Sequence, residues 1–223
     1  MLKRIIENFI IFLLFIFLIV NMSYASIYMN NLDNLELKDS SLTYINLNYS
    51  PDLSHYGKLL IIGDSYSFLL CKYSGTNVNY IVHIGYTLDK INNEFLPLIK
   101  PNSFEYALLF IGPNDFFNQT DIETFSNQLK SIVNDLSNKG INLILTNYYE
   151  PSYTSKNGLV YSILPIKCFQ YDSILKRMAT TNNLIYIDIS DILNKYGYYN
   201  DDGVHPDADV YPSILYRILQ YIY

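Results

Sequence analysis

The chain has no tryptophan, only two cysteines and only three histidines. Neither Cys-x-x-Cys nor His-Glu-x-x-His occurs, so no structural zinc or other metal is expected. Lysine and arginine number 15 against 21 acidic residues, a formal charge of −6, and they form no basic run. The electrostatic footprint of a nucleic-acid binder is therefore missing. Internal repeats and low-complexity linkers are absent as well, and so is the Gly-x-Ser-x-Gly nucleophile elbow. What is present is a chain of 223 residues, 50% hydrophobic and 16% charged. That composition excludes a disordered chain and suits one domain with a sizeable core.

Residues 1–25 differ in kind from the rest. Lys3 and Arg4 precede an uninterrupted apolar run from Phe9 to Val20, and Ser23-Tyr24-Ala25 then matches a small-x-small cleavage pattern. The segment reads as a secretory signal peptide, with Ser26 as the mature start. The run is short for a spanning helix, which needs about 20 apolar residues. An uncleaved amino-terminal anchor is the competing reading and would be the only route to a membrane. No cysteine follows the run to carry a lipid. Export would permit a disulfide between Cys71 and Cys168, with two buried free thiols as the alternative.

Residues 26–57 are polar, rich in Asn, Asp and Ser, and read as an extended lead-in. From residue 58 to 223, strand and helix signals alternate. Strands are expected at Lys58–Ile62, Val78–His83, Tyr106–Ile111, Ile141–Thr146 and Leu184–Ile187, each a short apolar run. Helical spacing marks Thr87–Ile99, Thr120–Lys139 with Gly140 as its stop, Ile166–Thr181 and Pro212–Ile222. The alternation predicts an α/β fold with a mostly parallel five-stranded sheet and helices on both faces. In such sheets ligands bind beyond the carboxyl ends of the strands. Ser65, Gly85, Asn114 and the Tyr148–Tyr153 region all follow predicted strand ends.

Two segments at opposite ends of this region supply a nucleophile and its activators. Gly63-Asp64-Ser65 follows the first strand, and Asp202-Gly203-Val204-His205 precedes the last helix. A serine hydroxyl needs a base within hydrogen-bond reach, and the base needs a group to orient it. Ser65, His205 and Asp202 fit those roles. A tetrahedral intermediate also needs donors for its oxyanion. The backbone N–H groups of Ser65 and Gly85 and the side chain of Asn114 are the candidates. Asp64 and Asp115 read as turn and hydrogen-bonding residues rather than catalytic acids, and His83 as a strand-end residue.

The ordered set Gly-Asp-Ser, glycine, Gly-x-Asn-Asp, Asp-x-x-His resembles the GDSL or SGNH hydrolase superfamily over about residues 58 to 223. The resemblance implies a flavodoxin-like three-layer α/β/α sandwich and no cofactor. It makes Ser65 the nucleophile, His205 the base paired with Asp202, and Ser65, Gly85 and Asn114 the oxyanion hole. Tyr66 stands where the longer Gly-Asp-Ser-Leu form has leucine, a variation read as neutral for the chemistry.

The expected function is an exported serine esterase acting on a small acyl ester of a carbohydrate or cell-envelope substrate. An acyltransferase of the same fold and a silent glycan-binding module are the alternatives. A small-molecule or glycan ester is thus the expected partner. The 23 tyrosines include Tyr148, Tyr149, Tyr153 and Tyr161 near the proposed site. They read either as a platform for a sugar or acyl group or as part of a general compositional bias.

Overall fold

The computed structural model describes residues 43–46, 58–73, 78–147, 164–196 and 204–222. The five predicted strands are present as β2 (Leu59–Gly63), β3 (Asn79–His83), β4 (Tyr106–Phe110), β5 (Asn142–Thr146) and β6 (Ile185–Ile187). All five pair in parallel. A sixth strand, β1 (Thr43–Asn46), pairs antiparallel with β3, Thr43 opposite His83. It comes from the stretch read as a lead-in. Four residues, Thr-Tyr-Ile-Asn, are too short a run to stand out in the sequence, yet they pair an otherwise open sheet edge.

The sheet order is β1-β3-β2-β4-β5-β6. Without β1 this is the second-first-third-fourth-fifth order of flavodoxin-like folds. The chain moves one way from β2 to β3 and then crosses back past β2 to β4. Right-handed crossovers put the helices of those two connections on opposite faces. The ends of β2 and β4 consequently flank the crevice where such sheets bind ligands.

Each face of the sheet receives alternate residues of the same strands. Leu60, Ile62, Ile81, Leu109, Leu143 and Leu145 join one core with Phe125, Leu129 and Tyr171. Their neighbours Leu59, Ile61, Leu108, Phe110 and Ile144 are equally buried and point to the other face. That second face carries α1 (Ser65–Tyr73), which packs on β2, β3 and β4 and against the terminal helix α7 (Tyr211–Leu219). The first face carries α2 (Leu88–Lys90), α4 (Ile122–Asn138) and α5 (Leu164–Asn182). The short helices α3 (Asn114–Phe117) and α6 (Ser190–Tyr196) complete the described set.

The elements follow from local chemistry. In α4 the buried residues Phe125, Leu129, Ile132, Val133 and Leu136 form one stripe. Asp121 caps its start, accepting from Thr124 N–H at 2.8 Å. Gly140 ends it at φ +70°, with Ile141 N–H returning to Leu136 O at 3.0 Å. The predicted helix at Thr87–Ile99 is instead a relay: α2 runs into a π turn, Ile91–Phe95, and a 3-10 turn, Leu96–Leu98. Pro97 in the last turn has no N–H to continue an α-helical ladder, and Asn92 Nδ2 donates to Leu88 O at 3.1 Å. Helix α1 escaped the sequence reading because it is buried around much of its girth. Ser65, Tyr66, Ser67, Leu69 and Leu70 are all interior, which erases the amphipathic period.

No disulfide joins Cys71 to Cys168. Cys71 lies on α1 and Cys168 within the core of the opposite face, so the sheet stands between them. Burial pushes the Cys71 thiol up to about 12, leaving it protonated and unreactive at neutral pH. Among the described residues, no helix is long and apolar enough to cross a membrane.

The tightest constraint is where β2 turns into α1. A Cβ on Gly63 would overlap the Phe110 carbonyl oxygen and Ser67 Oγ. Ser67 Oγ bridges the two strands there, 2.6 Å from Phe110 O and 3.1 Å from Ile62 O. Gly63→Ala should therefore cost at least about 2 kcal/mol, the scale of overpacking a core. A thermal midpoint within a degree of wild type would show that the β2–β4 junction is looser than this geometry.

Candidate active site

Ser65 is the first residue of α1, directly after β2, and only 5% exposed. His205 lies in the loop before α7 and is 3% exposed. Because α7 packs on α1, the two loops meet, and His205 Nε2 lies 2.8 Å from Ser65 Oγ. That is the separation at which an imidazole can take a proton from a hydroxyl. Two residues 140 apart in the chain, the nucleophile and base candidates of the sequence, thus come within hydrogen-bond distance. Asp202, the expected orienting carboxylate, lies outside the described residues, as do Tyr148, Tyr149, Tyr153 and Tyr161.

The oxyanion candidates converge on the same strand ends. The N–H of Ser65 opens α1, and the first N–H groups of a helix have no partner within it. Gly85 follows β3 with φ +81°, a left-handed conformation that favours glycine, and a Cβ there would meet nothing within 4 Å. Asn114 opens α3 just after β4. It has two amide N–H donors, one of which is held by Asp64 Oδ2 at 2.7 Å.

Asp64 ties these segments together. Its carboxylate is fully buried. Oδ1 accepts from Tyr66 N–H at 2.9 Å, and Oδ2 accepts from Gly112 N–H at 2.8 Å and from Asn114 Nδ2. Burial pushes this carboxyl up to about 6, opposed by the two backbone donors, by the nearby His205 and by the Asn114 amide. Asp115 is placed in the same way one segment along. It accepts from Leu88 N–H at 3.0 Å and from Thr120 Oγ1 at 3.1 Å. It thereby caps α2 from another part of the chain and fixes the loop that carries Gly85. Burial also pushes Asp115 up to about 6.

Tyr66 packs against the loop that carries His205. It is fully buried, its ring centroid is 5.1 Å from that of His205, and its hydroxyl donates to Val204 O at 2.6 Å. Gly112 is required beside it, since a Cβ there would overlap the Tyr66 ring. No residue spacing signals this contact; only the packing of α1 against the His205 loop creates it. His83 is buried, with Nδ1 2.7 Å from Ile84 O and its ring stacked on Tyr86 at 3.8 Å.

The GDSL-like lipase/acylhydrolase family model matches residues 62–211, the span that holds every element of this site. The chain belongs to that family, whose members hydrolyse esters. Similar solved structures agree on the fold. A GDSL-like lipase from Bacteroides thetaiotaomicron has a TM-score of 0.60 at 18% identity, covering 78% of this chain and 91% of its own. An acetylxylan esterase, Axe2, from Geobacillus stearothermophilus has a TM-score of 0.53 at 17% identity, covering 74% and 94%. The psychrotrophic esterase EstA from Pseudoalteromonas, in a structure inhibited by monoethylphosphonate, has a TM-score of 0.52 at 18% identity, covering 74% and 94%. No curated protein gives a significant match.

The two buried carboxyls set a pH dependence of stability. Their ordinary value is 3.8, and the fold raises each to about 6. Between those values the folded state holds protons that the unfolded chain releases, so stability falls as pH rises. The contribution is full below about pH 4 and is lost by about pH 6, roughly 3 kcal/mol for each group. Asp115→Asn removes one of the two. Its thermal midpoint should fall less than the wild type's between about pH 4 and about pH 6.5. An unchanged slope would show that Asp115 does not titrate there.

Proposed function

We propose that this protein is an exported serine esterase that removes a small, acetyl-type acyl group from a carbohydrate or cell-envelope substrate through an acyl-enzyme on Ser65. The observation that carries this reading is the buried 2.8 Å contact between Ser65 Oγ and His205 Nε2, placed at the crevice between β2 and β4. His205 takes the Ser65 proton as Oγ attacks the ester carbonyl. The resulting imidazolium then protonates the departing alcohol. Asp202, three residues before His205, is assigned the role of accepting a hydrogen bond from the imidazole Nδ1–H, which fixes the tautomer.

Negative charge on the carbonyl oxygen is met by the Ser65 and Gly85 N–H groups and the Asn114 amide. The amino-terminal end of α1 adds the positive pole of its helix dipole. Asp64 orients Asn114 through one amide N–H, which leaves the other for substrate. A carboxylate so close would oppose oxyanion formation if it were unpartnered, and its three N–H donors offset that charge.

Support for the substrate class comes from two sides. Structural neighbours include an enzyme that deacetylates xylan and an esterase inhibited by a phosphonate. Residues 1–25 read as an export signal, which places the enzyme among surface and extracellular polymers.

Purified protein should hydrolyse p-nitrophenyl acetate faster than long-chain p-nitrophenyl esters, and Ser65→Ala should abolish turnover. Asn114→Ala should retain binding and lower kcat by about 10²–10³, the usual loss for one oxyanion donor. Equal rates for Ser65→Ala and wild type would refute the serine mechanism. A preference for long acyl chains would refute the acetyl-type substrate.

A further inference from the structure

Two hydrogen bonds join the amino-terminal end of α1 to the loop before α7, and they run side by side. Ser65 Oγ meets His205 Nε2, and the next residue, Tyr66, donates its hydroxyl to the carbonyl of the preceding one, Val204. The first bond is chemically labile, because catalysis moves its proton and then esterifies its oxygen. The second takes no part in bond making.

Tyr66 is well suited to hold something still. Asp64 Oδ1 fixes its backbone N–H, Phe110 packs edge-on against its ring at 5.9 Å, and Gly112 lies flush beneath it. Its side chain is fully buried. The hydroxyl is therefore the end of a rigid arm, and the Val204 carbonyl it grips is one peptide unit from His205.

We propose that Tyr66 is a positioning residue that keeps His205 at working distance while Ser65 is acylated. It rests on the serine-esterase reading above. In the acyl-enzyme, Ser65 Oγ carries the acyl group and has no proton to give, so the direct serine–histidine bond is gone. In that state His205 must accept a proton from water. The water oxygen bonds to the acyl carbon as its proton passes to Nε2. The carbon–Oγ bond then breaks, Oγ recovers the proton from Nε2, and the carboxylic acid leaves. During this half-reaction the Tyr66–Val204 bond still ties the base loop to the nucleophile's helix. Asp202, three residues before His205, would orient the ring, whereas Tyr66 holds the backbone at Val204.

The consequence is an asymmetry between the two half-reactions. Loss of the Tyr66 hydroxyl should slow deacylation more than acylation. The test uses the full chain and p-nitrophenyl acetate, with wild type, Tyr66→Phe, Tyr66→Leu and Ser65→Ala compared. Acylation is read from the burst of p-nitrophenolate, and deacylation from decay of the acetylated protein by mass spectrometry. Tyr66→Phe keeps the ring against Gly112 and should slow deacylation by about tenfold, the upper range for one hydrogen bond, with acylation changed much less. Tyr66→Leu, the residue of the longer family motif, should show the same asymmetry and serves if the Phe variant does not fold. Equal slowing of both steps, or none, would overturn the proposal. A smaller burst amplitude with unchanged rate constants would also overturn it, because that reports only fewer folded molecules. Ser65→Ala decides separately whether the serine mechanism holds: acetylation surviving in that variant would sink the underlying reading whatever Tyr66 does.

Discussion

The site depends on one buried anion. The Asp64 carboxylate has no exposure to water, and an unpaired charge in that position would be severely unfavourable. It is satisfied by N–H donors from its own turn, from the turn after β4 and from the side chain of Asn114. Those donors can reach it only if the ends of β2 and β4 are held in register and α1 starts where it does. The requirement to satisfy Asp64 therefore fixes Ser65 and Asn114 relative to each other, although neither bonds the other directly.

The close approach has further demands. Two strand ends this near leave no room for a Cβ on Gly63 or Gly112, and the space beside Gly112 is filled by the Tyr66 ring. Asp115 repeats the device on the neighbouring loop, joining the start of α3 to the start of α2. The oxyanion candidates are thus mounted on a small network of buried carboxylates and backbone N–H groups. Such a network suits preorganised catalysis, in which donors are already in place before charge develops.

The abundance of tyrosine takes on a partly structural meaning. Tyr66 reaches Val204 O, Tyr171 reaches Thr120 O at 2.5 Å, and Tyr186 reaches Asp172 at 2.8 Å. Tyr66 and Tyr171 bury their rings, Tyr186 partly buries its own, and each directs its hydroxyl to an acceptor in another segment, which phenylalanine could not do. Tyr171 holds the turn after Asp115, so a core residue on α5 braces the loop that presents Asn114.

Much of this was legible in the chain itself. The parallel strands announced themselves as short apolar runs because both faces of the sheet are covered. The nucleophile, base and oxyanion candidates were legible because loops after strand ends carry a distinctive order of small and polar residues. Alternation of strand and helix signals is local information, and local information determines element type and fold class. The sequence did not disclose β1, whose four residues become a strand only because β3 offers an unpaired edge. It also did not disclose α1, whose burial hides its period, or the break in the predicted helix at Thr87–Ile99. Above all it could not show that Tyr66, next to Ser65, grips Val204, next to His205. That contact spans 138 positions and arises from the packing of α1 on α7. The sequence determined which groups could do the chemistry; tertiary packing decided their distances, because separations of a few ångströms between distant segments are set by the core beneath them.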